Sequence, residues 1–402
     1  MGLGGIFDAW EQRKLGDVSN YIKGFAFKSK DYKKDGVRII QVSDLTKDKI
    51  KCSNTNIFVS LELAELNKKY RINKNEIIIT TVGSKAEIKE SAVGRPIIVA
   101  EEGHFLLNQN LVKLTSLQGF DNYFIYSQLL QPRYINYIAA IERGNANQAN
   151  IAIIDLWQYT FLVPKKLEQQ KISMFFKQLD NTIALHQRKL DSLKLMKKGF
   201  LQLMFPKKGE KAPKLRFADS EERWEQRKLG EIFTERTERS DKGELISVTI
   251  NSGIVKASEL ERKDNSSSNK SNYKVIKKGD IAYNSMRMWQ GASGCSFYDG
   301  ILSPAYTVIS PKEDIDPNFM SYMFKKHEMI HLFQRNSQGL TSDTWNLKFP
   351  SLSTIKVKIP PYEEQVRIAN LLQNTENIIT FQQNKISQLQ ALKKAHLQNM
   401  FI

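Results

Sequence analysis

At 402 residues, with 41% hydrophobic and 10% aromatic content, the chain is too long for one core and too apolar to be disordered. Lys and Arg (60) outnumber Asp and Glu (43), for a net charge of +17; nucleic acid is the commonest polyanion such a surface serves, although basic proteins without one exist. Cys52 and Cys295 are solitary, which excludes a disulfide framework and a Cys-based zinc site and makes the cytoplasm the expected location; Met1 to Ile6 is too short for a signal peptide, and no apolar run nears the roughly 18 to 20 residues of a membrane span.

In chain order, the first recurrent phrase is Trp10-Glu11-Gln12-Arg13-Lys14-Leu15-Gly16. Strand-like β-branched runs follow at Val37 to Val42, Glu76 to Val82, Ile97 to Ala100 and Leu111 to Leu114, punctuated by Gly83 and Gly94. A helix is predicted from about Asn122 to Tyr137, then a polar loop from Arg143 to Asn150. Glu168 to Phe205 has no internal Pro and places Ile172, Phe175, Phe176, Leu179, Ile183, Leu190 and Leu193 at helical spacing, so it reads as one long amphipathic helix. Pro206 ends it, and the charged stretch through Pro213 reads as an exposed linker.

The order then repeats. The entry phrase returns at Trp224 to Gly230, strands are predicted at Leu245 to Asn251, Asp280 to Asn284 and Tyr306 to Ile309, a helix at Asn318 to Gln334, and a polar loop at Gln338 to Leu347. Asp264 to Asn272 reads as a flexible loop. Glu364 to Phe401 repeats the long helix without a gap at an offset of 196, keeping Gln169/Gln365, Ile172/Ile368, Leu193/Leu389 and Met204/Met400 identical. Equal helices beside inserts of unequal length suggest a constant frame that carries two different payloads.

Enzyme signatures are weak. His327-Glu328-Met329-Ile330-His331 matches the HExxH pattern of zinc hydrolases, but no third ligand follows at a usual spacing, and the first-half counterparts at the same offset are Gln131, Pro132 and Ile135. Asp316-Pro317-Asn318-Phe319 loosely resembles the motif that holds the target amine in amino methyltransferases, yet a Pro opening a helix explains it better. No phosphate-binding loop is present. The polar clusters that remain are of the type that reads base edges, since Asn and Gln pair bidentately with adenine and Arg with guanine. They are Asn108, Gln109 and Asn110; Arg143, Asn145, Asn147 and Gln148; Asn284, Arg287, Trp289 and Gln290; and Arg335, Asn336 and Gln338. The competing reading is that such residues make turns.

The ordered phrases carry a family resemblance: the two entry phrases, the Pro-x-x-x-Glu-Gln openings at Pro164 to Gln169 and Pro360 to Gln365, and the exits at Lys197 to Phe205 and, more loosely, Lys393 to Phe401. Ile77 to Gly83, Gly94 to Pro96, Lys278 to Asn284 and Ser303 to Tyr306 add to them. Over nearly its whole length the chain resembles the specificity subunit of a type I restriction-modification system. The resemblance implies an α+β fold of two mixed α/β target-recognition domains joined by two long antiparallel helices in a pseudo-two-fold arrangement. The segments would be residues 1–163 and 224–359 for the recognition domains, 164–206 and 360–402 for the helices, and 207–223 for the linker. It further implies that double-stranded DNA is read as a two-part asymmetric target and that the chain itself is not an enzyme. Two modification subunits that use S-adenosylmethionine would methylate adenine N6, and a restriction and translocase subunit would use ATP and Mg. Ile172, Phe176, Leu193, Ile368, Leu372 and Leu389 would serve partner docking, and no cofactor would reside in this chain. A stand-alone DNA-binding or scaffolding protein with no enzymatic partner is the alternative. Met1 to Ala9 departs from the pattern, being short and Gly-rich where the second copy has Pro213 to Phe217.

His186 and Gln382 occupy equivalent helix positions where a heptad would be apolar; they either set register inside a seam or face solvent or the partner subunit. A helix of about 37 residues is about 55 Å long, against about 34 Å per turn of duplex. Adding or removing one turn at matched positions of both helices is therefore expected to shift the gap between half-sites and leave the half-sites unchanged. Methylation mapping that returned an unaltered gap would refute the spacer role.

Overall fold

A computed structural model describes residues 10–46, 49–51, 56–85, 93–100, 102–145, 148–207, 209–220, 222–250, 252–260, 266–267, 269–341 and 344–401. The chain forms two compact units, Met1–Gln187 with Asn384–Ile402, and Arg188–Gln383. Both divisions fall inside the long helices, Lys166–Leu203 and Tyr362–Asn399. Each unit therefore holds a head, the start of its own helix or the stretch that leads from it, and the end of the other helix.

The first head is built on an antiparallel sheet ordered Ser19–Lys23, Leu111–Ser116, Ile77–Thr80, Pro96–Ile98. Its second strand pair is central because Ile77, Ile78 and Ile79 are fully buried, as β-branched side chains covered on both faces would be. A further sheet, ordered Ile57–Val59, Val37–Ile40, Phe105–Leu107, Arg71–Ile72, contains one parallel pair. The second head repeats the first sheet as Phe233–Glu235, Tyr306–Pro311, Ile281–Asn284, Ser293–Cys295, again antiparallel throughout. In place of the further sheet it has two ribbons, Ile246–Thr249 with Gly253–Lys256 and Lys274–Ile276 with Gly300–Leu302. The frame recurs and the payload differs.

Each entry phrase forms a strand that pairs antiparallel with the strand preceding the long helix: Glu11–Lys14 with Thr160–Val163, and Glu225–Lys228 with Lys356–Ile359. The opening Trp then covers an aromatic cluster. In the first unit Trp10, Phe124 and Phe176 surround Phe401, with ring centroids 5.8 to 6.2 Å from it. In the second, Trp224 and Phe319 surround Phe205, at 6.3 and 5.2 Å. The exit of one long helix thus completes the core beneath the other repeat's head. The Gln of each Glu-Gln opening is buried and bidentate: Gln169 accepts from the Asp121 amide and donates to the Pro164 carbonyl, and Gln365 accepts from the Asp316 amide and donates to the Pro360 carbonyl.

A second polar clasp joins head, own helix and incoming helix end. Tyr123 donates to Asp180 at 2.6 Å, and Asp180 takes both bonds of Lys393 at 2.6 and 2.8 Å. Tyr322 donates to Glu376 at 2.7 Å, and Glu376 pairs with Lys197. Burial raises the pKa of both phenols, and the adjoining carboxylates add to the rise, so they stay donors. In the first unit Asp180 with Lys393 and Phe176 with Phe401 make the two helix segments antiparallel, and in the second Glu376 with Lys197 joins them.

Several expectations need correction. Ile172, Phe176, Ile368 and Leu372 are buried in the cores of their own units, so their apolar surface is used within the chain and not offered to a partner; Leu193 and Leu389 are half-buried. Gln382 is 4% exposed and His186 half-buried, so neither is a plain solvent position. The predicted single helices are each two: Asn122–Gln128 and Pro132–Ile141, broken where Pro132 cannot donate to the preceding turn, and Pro317–Phe324 and His327–Asn336. The linker is fastened along part of its length, Arg216 forking onto Glu364 and Arg367 pairing with Asp219 while stacking over Phe217. Met1 to Ala9, Asp264 and Asn265 lie outside the described residues.

Because Phe401 is enclosed by three rings, Phe401→Ala is expected to destabilise the first unit by about 3 to 5 kcal/mol. Scanning calorimetry should show one thermal transition moving down while the second unit's transition stays in place.

Candidate nucleic-acid interface

At one end of the central sheet of each head, three separate stretches of sequence converge. In the first unit, the turn after Ile77–Thr80 is the meeting point: the Thr81 amide donates to the Asn110 carbonyl and the Thr81 carbonyl accepts from the Ile151 amide, both at 3.0 Å. Val82–Gly83 then pairs with Gln148–Asn150, which pairs in turn with Arg143–Asn145. The stretch expected as a polar loop is therefore a β-hairpin, a correction with a clear cause. Gly144 adopts φ 106°, and a Cβ there would come within 2.4 Å of the Gln148 carbonyl.

The second unit has the same construction. Leu347 donates from its amide to the Ser285 carbonyl at 2.8 Å, and the Gln338 and Asn346 backbones exchange two bonds, at 3.0 and 2.8 Å. Gly339, at φ 144°, leaves no space for a Cβ, which would lie 2.6 Å from the Thr344 carbonyl. Beside this hairpin, the turn that follows Asn284 packs Trp289 edge-on against Trp345, with centroids 5.3 Å apart. Lys325 holds the far side of the turn, donating to the carbonyls of Gly291 and Ile250, and burial pushes its pKa down to about 8.

The structure sorts the sequence candidates by what their side chains do. Asn108 is buried, its amide bonded to the Ile40 carbonyl, so it supports the edge and does not read from it, a second correction. Asn145 and Asn284 accept bonds from nearby amides, those of Gln148 and Met286, as turn-formers do, and Asn336 donates to the Leu332 carbonyl. Trp289 donates to the Met286 carbonyl. Gln109, Gln148, Arg287, Arg335 and Gln338 are exposed, Asn110 and Gln290 half-exposed. Arg143 is exposed and pairs with Asp155 at 2.8 Å. Asn147 lies outside the described residues. Thr81, Trp345 and the two hairpin glycines were not singled out from sequence. A signal was available, since Gly144 and Gly339 are 195 residues apart, one fewer than the helix offset.

That shorter offset also realigns HExxH. The helix N-caps are Gln131 and Lys326, and the buried pairs are Tyr134/Met329 and Ile138/Phe333. The counterparts of His327, Glu328 and His331 are then Pro132, Arg133 and Asn136, in place of the residues found at 196. Both histidines and Glu328 line a cavity of about 430 Å³ that also carries Lys207, Lys326, Arg335, Lys356 and Lys358, so positive charge outweighs the one carboxylate and disfavours a metal cation. Asp316 caps its helix by accepting from the Phe319 amide at 2.7 Å, with Pro317 at the first turn, as the structural reading of that motif requires.

A family model described as the type I restriction modification DNA specificity domain matches this chain over residues 8–195 and again over 221–391. The specificity subunit of the type I restriction enzyme MjaVIII from Methanocaldococcus jannaschii is 23% identical, over 96% of this chain and 90% of that protein. The EcoBI specificity subunit of Escherichia coli is 27% identical over 46% of this chain and 36% of its own length. The crystal structure of a type I restriction-modification S subunit from M. genitalium shares the fold, with a TM-score of 0.62 at 15% identity over 100% of this chain and 98% of that one.

The Lys325 anchor gives a pH signature. Its amine binds its proton less tightly when folded than at its ordinary 10.5, so between about pH 8 and 10.5 the unfolded chain holds more protons and stability rises with pH. Against Lys325→Met, which lacks this group, the native chain should gain stability across that window in urea titrations. A difference that is flat with pH would contradict the burial.

Proposed function

The chain belongs to the type I restriction-modification DNA specificity family, and on that premise we propose that each hairpin edge reads one half of a two-part asymmetric DNA target while partner subunits carry out the chemistry. The observation that carries this reading is the pair of edges themselves. They share one scaffold, anchored at Thr81 and Ser285, yet present different side chains, as two readers of unlike sequences must. The surplus of positive charge supplies phosphate affinity without sequence preference.

Groups that could have served catalysis are otherwise engaged, in keeping with a non-catalytic chain. Burial pushes the Cys295 thiol up to about 12, leaving it unreactive at neutral pH, and Asp316 is committed to a helix cap. S-adenosylmethionine then belongs to the modification subunits, and ATP with Mg to a restriction and translocase subunit. Two modification subunits are expected because apolar residues recur exposed at repeat-equivalent helix positions: Leu185 (60%) with Phe381 (64%), and Met196 with Leu392. These replace the buried residues first assigned to docking.

Coexpression with the modification subunit, followed by mapping of methylated adenines across a genome, tests the reading directly. A bipartite motif is expected. Leu185→Glu with Phe381→Glu should abolish copurification of that subunit while leaving the melting temperature of the isolated chain within about 2 °C, as exposed substitutions do. If no methyltransferase copurifies with the unmodified chain, it acts alone, as a DNA-binding or scaffolding protein.

A further inference from the structure

The two reading edges differ in one respect that their shared scaffold does not require. Leu340 follows Gly339 on the second hairpin and is 101% exposed, fully bare to water, whereas the equivalent residue of the first hairpin is Asn145, whose amide oxygen is bonded within its own turn. Burying a leucine is worth about 1.5 to 3 kcal/mol, and none of that is used in the fold. Nor is the hairpin a loose tether. Its base is closed by the paired Gln338 and Asn346 backbones, and bonds between Thr341 and Thr344 join the strands a second time, at 3.1 and 3.0 Å. One side rests on the Trp345 and Trp289 pair. The neighbouring turn adds Met286, 47% exposed, and the cation of Arg287.

An aliphatic side chain at the front of a polar and basic DNA-reading edge finds apolar surface on a duplex at a thymine methyl or between stacked bases, and only the second encloses a whole leucine. We propose that Leu340 is a wedge that enters the base stack at the half-site read by the second unit, unstacking one step and bending the duplex there. The first unit, with Asn145 in that place, reads its half-site without insertion. This inference rests on the proposed reading of the hairpin edges as DNA-facing. A protein partner docking alike on both units would call for the same residue on both, so the asymmetry favours an unlike partner, and the two halves of an asymmetric target are unlike. Pyrimidine–purine steps unstack most easily, and the wedged step is expected to be one of them.

The test uses the full chain assembled with its modification subunit and a duplex carrying the mapped target. 2-Aminopurine is placed singly at each step of both half-sites, leaving out the methylated adenines and their neighbours, whose extrusion by the methyltransferase would give its own signal. A severalfold fluorescence rise at one step of the second half-site, and at none of the first, is expected. Leu340→Asn, the first-half side chain, should abolish the rise and weaken binding about tenfold, and Leu340→Phe should keep both. Fluorescence that stays low at all positions in a complex that binds and methylates its target overturns the wedge alone, as does a rise that survives Leu340→Asn. A complex with no sequence-specific methylation overturns the functional reading, and the wedge with it.

Discussion

The fold depends on the burial of two phenylalanines that arrive from elsewhere in the chain. Phe401 and Phe205 stand two residues past the ends of the two long helices, and each is enclosed beneath the head belonging to the other repeat, under the Trp that opens that head. Edge-on and stacked rings at these separations contribute about 0.5 to 1.5 kcal/mol per pair beyond their buried area. The Tyr, carboxylate and Lys clasps lie about two helical turns further in and fix rotation as well as position, because Asp180 and Glu376 each take bonds from two directions. Apolar burial supplies the affinity of helix end for head, and the clasp supplies the register. A paired, hydrogen-bonded charge is suited to that second task, since leaving either partner alone would be costly.

This division of labour accounts for what varies. The entry strand, the Gln clamp and the cage occur twice, with Leu372 in the second copy at the position of Phe176, while the heads differ in their second sheet and in their hairpin side chains. None of the frame contacts involves the reading edge. Residues such as Gln148 and Gln338 can therefore be exchanged at little cost to stability, and a new target can be acquired without redesigning the core.

The frame was legible in the sequence because its residues recur at fixed spacing, and the family resemblance followed from that order. The long helices and the central strands were found where their patterns placed them, and the exits at Phe205 and Phe401 were marked, whereas the entry phrases were read as a repeat and not as strands. Less legible was which side of a helix faces inward. Ile172 and Phe176 look like a docking face by periodicity alone, and it took the head packed over them to show that they are core. The hairpins were missed for a local reason. Arg143 to Asn150 has turn-forming composition throughout, and a glycine with positive φ, Gly144, lets its strands pair closely where no strand-like run marks them. A one-residue change of offset between heads and helices hid the correspondence of Gly144 with Gly339, and with it the true partners of His327 and His331.

The position of Phe401 also sets an order on biosynthesis. The second unit is a continuous stretch, Arg188–Gln383, whereas the first combines residues from before and after it. At about 5 to 20 residues per second, a ribosome would take roughly 20 to 80 seconds to pass from Trp10 to Phe401. Throughout that interval the cage of Trp10, Phe124 and Phe176 lacks its fourth ring. The head translated first is the one finished last, so a truncated product would carry an open aromatic pocket at its beginning, the kind of surface that chaperones and proteases recognise.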